Sequence, residues 1–243
     1  MFKLALNAGH YSGTTKGIPA TLSPTGKHID EWTLNDRVCD RIEALLAGFD
    51  GVEILRLDDT TGKTDVPLEA RTDAANAWGA DFYLSIHHNA GIGGGSGGGM
   101  VAYVYTHVGD ETLAWQKDLY DALIAATGLR GNRSQPLAKA DLHEVRETNM
   151  SAVLLELGFM DSTTNVPVIL SDDFADKCAA AIVDVIARRA GLTKKPESTP
   201  GKMYRLFANG EQKGAFRISE NVLNMAKEYI ENGNDVEITV RDN

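Results

Sequence analysis

The strongest constraint on this fold is a rhythm. Along the first 192 residues, short apolar runs alternate with longer amphipathic ones. FKLALN (2–7), GVEILRL (51–57), DFYLSIH (81–87), GMVAYVYT (99–106) and SAVLLELGF (151–159) have strand length and are apolar on both faces. A strand buried on both faces needs a covering layer on each side, so the pattern predicts an α/β domain. Its largely parallel sheet should be flanked by helices on both faces. The intervening runs supply those helices. EWTLNDRVCDRIEALLAG (31–48) places Leu34, Val38, Ile42 and Leu45 at helical spacing and stops at Gly48. PLEARTDAANAWG (67–79) opens at Pro67 and ends at Gly79. DETLAWQKDLYDALIAATG (110–128) is a third helix. SDDFADKCAAAIVDVIARRAG (171–191) is a fourth, capped by Ser171.

A chain of 243 residues is long enough for one sizeable domain and a small appendage. The break falls at 193–202, where KKPESTPGK has the polar, Pro- and Ser-rich composition of a linker. Residues 203–243 form a small α+β module. It has a strand at YRLFA, a hairpin turn at Asn209-Gly210, a GAF turn, a helix capped by Ser219 and ended by Gly233, and a last strand at VEITV. GIGGGSGGG (91–99) is expected to be a flexible loop. The formal net charge is −10 and no basic stripe interleaves with aromatics, which argues against nucleic acid as a partner. Cys39 and Cys178 sit in amphipathic helices far apart and read as buried free thiols. MFKLALNAGHYSG lacks the long apolar run of a signal peptide, and no segment is long and apolar enough to span a bilayer. The expectation is synthesis in the cytoplasm without a signal peptide. Action outside the cell would then need another release route.

In α/β sheets, ligands gather beyond the carboxyl ends of the strands. The first strand leads into Asn7-Ala8-Gly9-His10, the third ends in His87 and His88, and the last carries Glu156 within VLLELGF. Glu31 heads the first helix. Two histidines and two glutamates thus fall where one site could form. An acid inside such a strand needs a partner. A cation, a metal-bound water or an arginine would serve, and Arg146 is the candidate for a plain salt bridge. A loop histidine such as His10, taken alone, is more often a surface or hydrogen-bonding residue. Glu31 alone suits the helix dipole, with His28 and Asp30 as competitors. Side-chain alternation puts His87 on the face of Tyr83 and Ser85, with His88 opposite. One imidazole is therefore the ligand and the other packs or faces the cleft. Three His/Glu ligands around an open position describe a catalytic zinc site, and a nearby free carboxylate describes its general base.

Together these segments resemble the zinc-dependent N-acetylmuramoyl-L-alanine amidases of the amidase-3 type, which include autolysins and phage endolysins. The resemblance covers residues 1–192. Asn7-Ala8-Gly9-His10 is similar to the family's Asp-x-Gly-His. Arg71, Asn76 and SIHHNA (85–90) match its Arg…Asn…Ser-Ile-His-x-Asn-Ala stretch, and LLELGFMD (154–161) its Leu-x-Glu-x-Gly-Phe segment. The resemblance implies that His10, Glu31 and His87 bind Zn2+ and that Glu156 is the catalytic acid/base. Asn89, His88 and Arg146 are expected to meet the substrate. The implied reaction on peptidoglycan is hydrolysis of the amide joining N-acetylmuramic acid to L-alanine of the stem peptide. The implied setting is a phage or prophage endolysin, with a sporulation amidase as its counterpart. This sequence departs from the pattern at Asn7, where an acid is usual, at Tyr11, and in the glycine run.

The C-terminal segment resembles part of a sporulation-related (SPOR-like) wall-binding module, although it is shorter. It is expected to target the wall or to form a homodimer through its strand edges. Two rival readings use the same residues. One is a zinc peptidase cutting within the stem, and the other is a non-catalytic wall-binding protein.

Overall fold

The computed structural model describes residues 1–196, 202–216 and 219–242. The chain divides into two compact units, Met1–Thr193 and Lys194–Asn243.

In the first unit, β1 (Phe2–Ala8) is followed by the two-residue strands β2 (Gly17–Ile18) and β3 (Ile29–Asp30), then α1 (Glu31–Leu46), β4 (Phe49–Asp50) and β5 (Val52–Arg56). Next come α2 (Leu68–Trp78), β6 (Phe82–Asn89), β7 (Val101–Val104), α3 (Asp110–Thr127), β8 (Leu137–Lys139) and α4 (His143–Arg146). The unit closes with β9 (Ser151–Phe159), α5 (Val166–Ile169), α6 (Asp172–Ala190) and the start of β10 (Thr193–Lys194). The central sheet has the order β5-β1-β6-β9-β7-β8. The first four strands run parallel, as the sequence rhythm predicts.

β7 pairs antiparallel with β9, and β8 follows β7 in parallel, so one edge of the sheet reverses direction. A parallel return requires a long crossover, usually a helix. The segment between β6 and β7 contains none, so the chain returns antiparallel.

Both faces of the sheet are covered. Leu4, Leu6, Phe82, Leu84, Ile86, Val153 and Leu155 pack with residues of α1, α3 and α6 in one core. Ala5, Tyr83, Ala152 and Leu154 pack on the other face with Ala75 of α2 and Val145 of α4. Phe82 stacks on Trp115 with ring centroids 4.0 Å apart. In α1 the last buried position is Leu46, while Leu45 points to solvent, a shift of one residue from the sequence reading. The Ser171 hydroxyl accepts from the Phe174 amide and caps α6. Cys39 and Cys178 are buried free thiols.

The glycine run is not the loose loop its composition suggests. Asp161 Oδ2 accepts from the amides of Gly91, Ile92 and Gly93 at 2.9, 2.7 and 2.7 Å. Ser162 and Thr164 donate to the carbonyls of Gly97 and Ser96, and Asn165 accepts from the Gly99 amide. Gly99 has φ +97, and a Cβ there would lie 2.3 Å from the Arg130 carbonyl. Glycine is needed at that position for close approach, not for mobility.

The second unit contains β11 (Lys202–Ala208), β12 (Glu211–Phe216), α7 (Ser219–Glu231) and β13 (Val236–Asp242), with antiparallel sheet order β12-β11-β13. Asn209 and Gly210 have φ +52 and +82, as a tight hairpin turn demands. That turn sends the chain straight back, so GAF lies within strand β12 and is not itself a turn. Leu206, Val222 and Ala226 form a small core with Tyr204, Met225 and Ile238. Of the linker residues, 197–201 lie outside the described residues, as does the side chain of Ser219 and thus its expected capping role.

Candidate active site

β1 ends at Ala8, and Gly9 and His10 turn away across the carboxyl edge of the sheet. His10 has φ +68, an uncommon backbone state for a residue with a Cβ. Arg71 of α2 holds it there. This buried guanidinium donates to Asn7 Oδ1 at 2.8 Å, to the Ala8 carbonyl at 3.1 Å and to the His10 carbonyl at 3.1 Å. Asn76, one helical turn further on, donates to the Glu147 carbonyl and accepts from the Asn149 amide. It thereby ties α2 to the segment entering β9.

Three of the sequence-predicted side chains converge. Ligand atoms of His10, Glu31 and His87 all lie within 4.8 Å of one another. Glu31 Oε2 sits 3.2 Å from His10 Nε2, and Glu31 Oε1 sits 3.0 Å from His87 Nδ1. The two rings meet edge to face with centroids 5.1 Å apart. Burial pushes the Glu31 carboxyl up, but hydrogen bonds from both histidines outweigh it and hold the group far below the usual carboxylate range. Asp30 and His28 do not compete. They pair with each other at 3.2 Å, and Asp30 also accepts from Ser12 and Gly13.

Gly9 is the closest approach in the site. A Cβ there would lie 2.0 Å from His87 Cε1, so the imidazole rests directly on the bare backbone.

Glu156 is the parallel-register partner of His87, so the two side chains project from the same face. Its Oε2 is buried and has no hydrogen-bond partner among the described residues. Burial, offset in part by the His87 charge, pushes its carboxyl up to about 7. The Arg146 salt bridge offered by the sequence is not formed. Arg146 pairs with Asp141 and Glu147 and lines a separate polar groove with Glu69 and Asn76. The reason is local: its two acidic neighbours flank it on the same short segment. Arg146 is thus not brought to the cleft, contrary to its expected substrate role.

His88 lies on the opposite face, as alternation requires. Its Nδ1 is 2.7 Å from Asn35 Oδ1, and its Nε2 is buried without a partner among the described residues. Burial lowers its pKa to about 3, so the ring is neutral. His88 and Asn89 both line a cleft of about 550 Å³ together with His10, Glu31, His87 and Glu156.

One residue escaped the sequence reading. Glu144 of α4 is buried, and its Oε2 lies 3.2 Å from His87 Nε2. Its Oε1 accepts from Asn7 Nδ2 at 2.6 Å, Tyr83 OH at 2.8 Å and Ser85 Oγ at 3.2 Å. Burial raises its pKa, but the hydrogen bond and charge of His87 and the Tyr83 hydroxyl bring it below the ordinary value. Between its two carboxylate neighbours, His87 is pushed up to about 10 despite burial. In the sequence Glu144 is one acid among several in a run with no periodicity, so nothing marked it.

This arrangement, two imidazoles and a carboxylate closing on one point with a partnerless carboxylate beside them, can hold a metal ion and present it to a ligand in the cleft.

Comparison with known proteins identifies the family. A sporulation-specific N-acetylmuramoyl-L-alanine amidase of Bacillus subtilis (strain 168) is 29% identical over 245 residues, covering 100% of this chain and 86% of the relative. The N-acetylmuramoyl-L-alanine amidase CwlM of Bacillus licheniformis is 31% identical over 242 residues, with the same coverages. An endolysin of Bacillus phage SPP1 is 32% identical over 143 residues, 59% of this chain and 52% of that protein. Among solved structures, the catalytic domain of CwlV from Bacillus (Paenibacillus) polymyxa var. colistinus superposes with a TM-score of 0.68 at 22% identity. That match covers 79% of this chain and 100% of the domain, and shows a shared fold. Residues 4–188 match the amidase-3 family, described as N-acetylmuramoyl-L-alanine amidase, and the chain belongs to that family.

Proposed function

We propose that this chain is a peptidoglycan hydrolase that cleaves the amide between the lactyl group of N-acetylmuramic acid and L-alanine of the stem peptide. The observation that carries this reading is the closure of His10, Glu31 and His87 within 4.8 Å beside the partnerless Glu156 carboxylate. Two imidazoles and one carboxylate are a donor set suited to zinc with an open coordination position. A zinc ion held there would polarise the scissile carbonyl and acidify the attacking water. Glu156 is placed to take that water's proton and to pass it to the leaving amine. Its unpaired oxygen is available for this role because Arg146 is engaged elsewhere. His88 and Asn89, on the cleft wall, are the proposed substrate contacts.

The second unit is proposed to hold the enzyme on the wall, as a wall-binding or dimerisation module. Within the unit, β12 and β13 are the edge strands of its sheet, the kind of strand through which chains pair, and Leu223, Ile230 and Val240 are exposed apolar residues on it. The proposed setting is wall lysis of the endolysin kind. The sporulation setting stands beside it, because the sporulation-specific relative aligns over the whole chain. Among the described residues no helix is long and apolar enough to cross a membrane.

The test is mass spectrometry of purified peptidoglycan digested by the wild type and by Glu156→Ala. Free stem peptides with a new L-alanine amino terminus, from the wild type alone, are the expected result. Cuts inside the stem would replace this reading with a zinc peptidase. Absence of any product would favour a binding protein. A chain ending at Leu192 that binds walls as well as the full chain would refute targeting by the second unit. A monomer in light scattering would refute dimerisation.

A further inference from the structure

His87 stands between two carboxylates. Its Nδ1 faces Glu31 at 3.0 Å, on the side of His10, and its Nε2 faces Glu144 at 3.2 Å. Glu31 belongs to the converging set of possible ligands, and Glu144 does not. The two ring nitrogens therefore have different work. A carboxylate behind a ligating histidine fixes which nitrogen keeps the proton and how the ring is turned.

We propose that Glu144 is a positioning carboxylate for the metal site: it holds a proton on His87 Nε2, leaving Nδ1 bare toward the cation shared with His10 and Glu31. This rests on the zinc reading above and extends it to a residue outside the ligand set.

Glu144 is itself built to stay ionised and in place. Asn7, Tyr83 and Ser85 all donate to it, from β1 and from the same face of β6 that carries His87. Ser85 accepts from Asn7 Nδ2 at 2.9 Å, which leaves its hydroxyl proton for Glu144. Asn7 has to be an amide in this arrangement. Its Oδ1 accepts from Arg71 at 2.8 Å while its Nδ2 donates to Glu144 at 2.6 Å. An aspartate at position 7 could still accept from Arg71, but it would set one carboxylate against another at contact distance. Asn7 and Glu144 thus form a matched pair. The departure at Asn7 from the Asp-x-Gly-His pattern gains a physical reason.

The experiment measures the zinc dissociation constant of the full-length protein by chelator competition, for the wild type, Glu144→Gln, Asn7→Asp and the double variant. Nitrogen NMR of the zinc-loaded wild type reads the His87 tautomer directly. Glu144→Gln should weaken zinc binding by roughly 10- to 100-fold, the usual effect of removing such a partner. Asn7→Asp should weaken it too. The double variant should bind zinc more tightly than Asn7→Asp alone, because a glutamine amide can donate to the new carboxylate. A merely structural loss would not give that rescue. The His87 proton should sit on Nε2. Zinc affinity within twofold of wild type in Glu144→Gln, a double variant no better than Asn7→Asp, or a proton on Nδ1 would each overturn the proposal and leave the zinc reading standing. A wild type that binds no zinc would overturn both.

Discussion

Gly9→Ala is the sharpest perturbation the site offers. A Cβ at that position would lie 2.0 Å from His87 Cε1 and 2.4 Å from both ring nitrogens. Gly9 does not occupy the left-handed region, so alanine carries no backbone strain there and the effect isolates the ring contact. Ordinary contact begins near 3.4 Å, so the ring or the end of β1 must yield by about 1.4 Å. The ring cannot swing freely, because Glu31 and Glu144 hold it from both sides at 3.0 and 3.2 Å. Displacing it weakens the charge-assisted hydrogen bond to Glu144, which contributes roughly 1.5–3 kcal/mol, and moves Nδ1 out of line with Glu31 and His10. A misplacement near 1 Å in a reacting constellation costs about 100-fold in rate. The expected result is a zinc dissociation constant raised by about 100-fold or more, with a parallel fall in kcat/KM on peptidoglycan. Chelator competition and reducing-end-independent release of stem peptides are the two assays. A Gly9→Ala protein with wild-type zinc affinity and activity would refute the placement of His87 over Gly9, and with it the derived site geometry.

Glu156→Ala should keep its zinc while kcat falls by roughly 10²- to 10⁴-fold, the range for a lost general acid/base; turnover near wild type would remove that role. His10→Ala and His87→Ala should each lower bound zinc in elemental analysis, and unchanged content in either would strike that residue from the ligand set. Asp161→Ala frees three backbone amides and should reduce stability in urea unfolding by about 2 kcal/mol. Faster amide exchange at Gly91–Gly93 should accompany it, and unchanged exchange would mean the loop is fixed by other contacts. Hydrogen bonds from Thr61 and Thr64 hold the Asp59 carboxyl down at about 2. A folded value below the unfolded one, near 3.9, stabilises the protein above that unfolded value, and the gain is lost as pH falls through 2. NMR titration of the Asp59 carboxyl should find that low midpoint; an ordinary midpoint would dissolve the Asp59 turn as drawn.

The sequence by itself determined the layered α/β architecture. Burial on both sides of a strand and helical spacing are one-dimensional patterns imposed by the core, and Leu84, Ile86, Val153 and Leu155 obey them. It also placed His10, Glu31, His87 and Glu156 in one neighbourhood, because strand order and direction carry those positions to one edge of the sheet. Tertiary structure alone decided the partners. Glu144 reaches His87 from a four-residue helix 57 residues away, in a run where several acids look alike. Arg146, two residues on, turns to Asp141 and Glu147 instead of Glu156. Asp161 fixes a glycine run that composition reads as loose. The direction of β7 likewise follows from the absence of a crossover helix before it. Periodicity reports which side of an element is buried. The choice among chemically identical hydrogen-bonding groups depends on angstrom-scale approach in three dimensions, which no local pattern encodes.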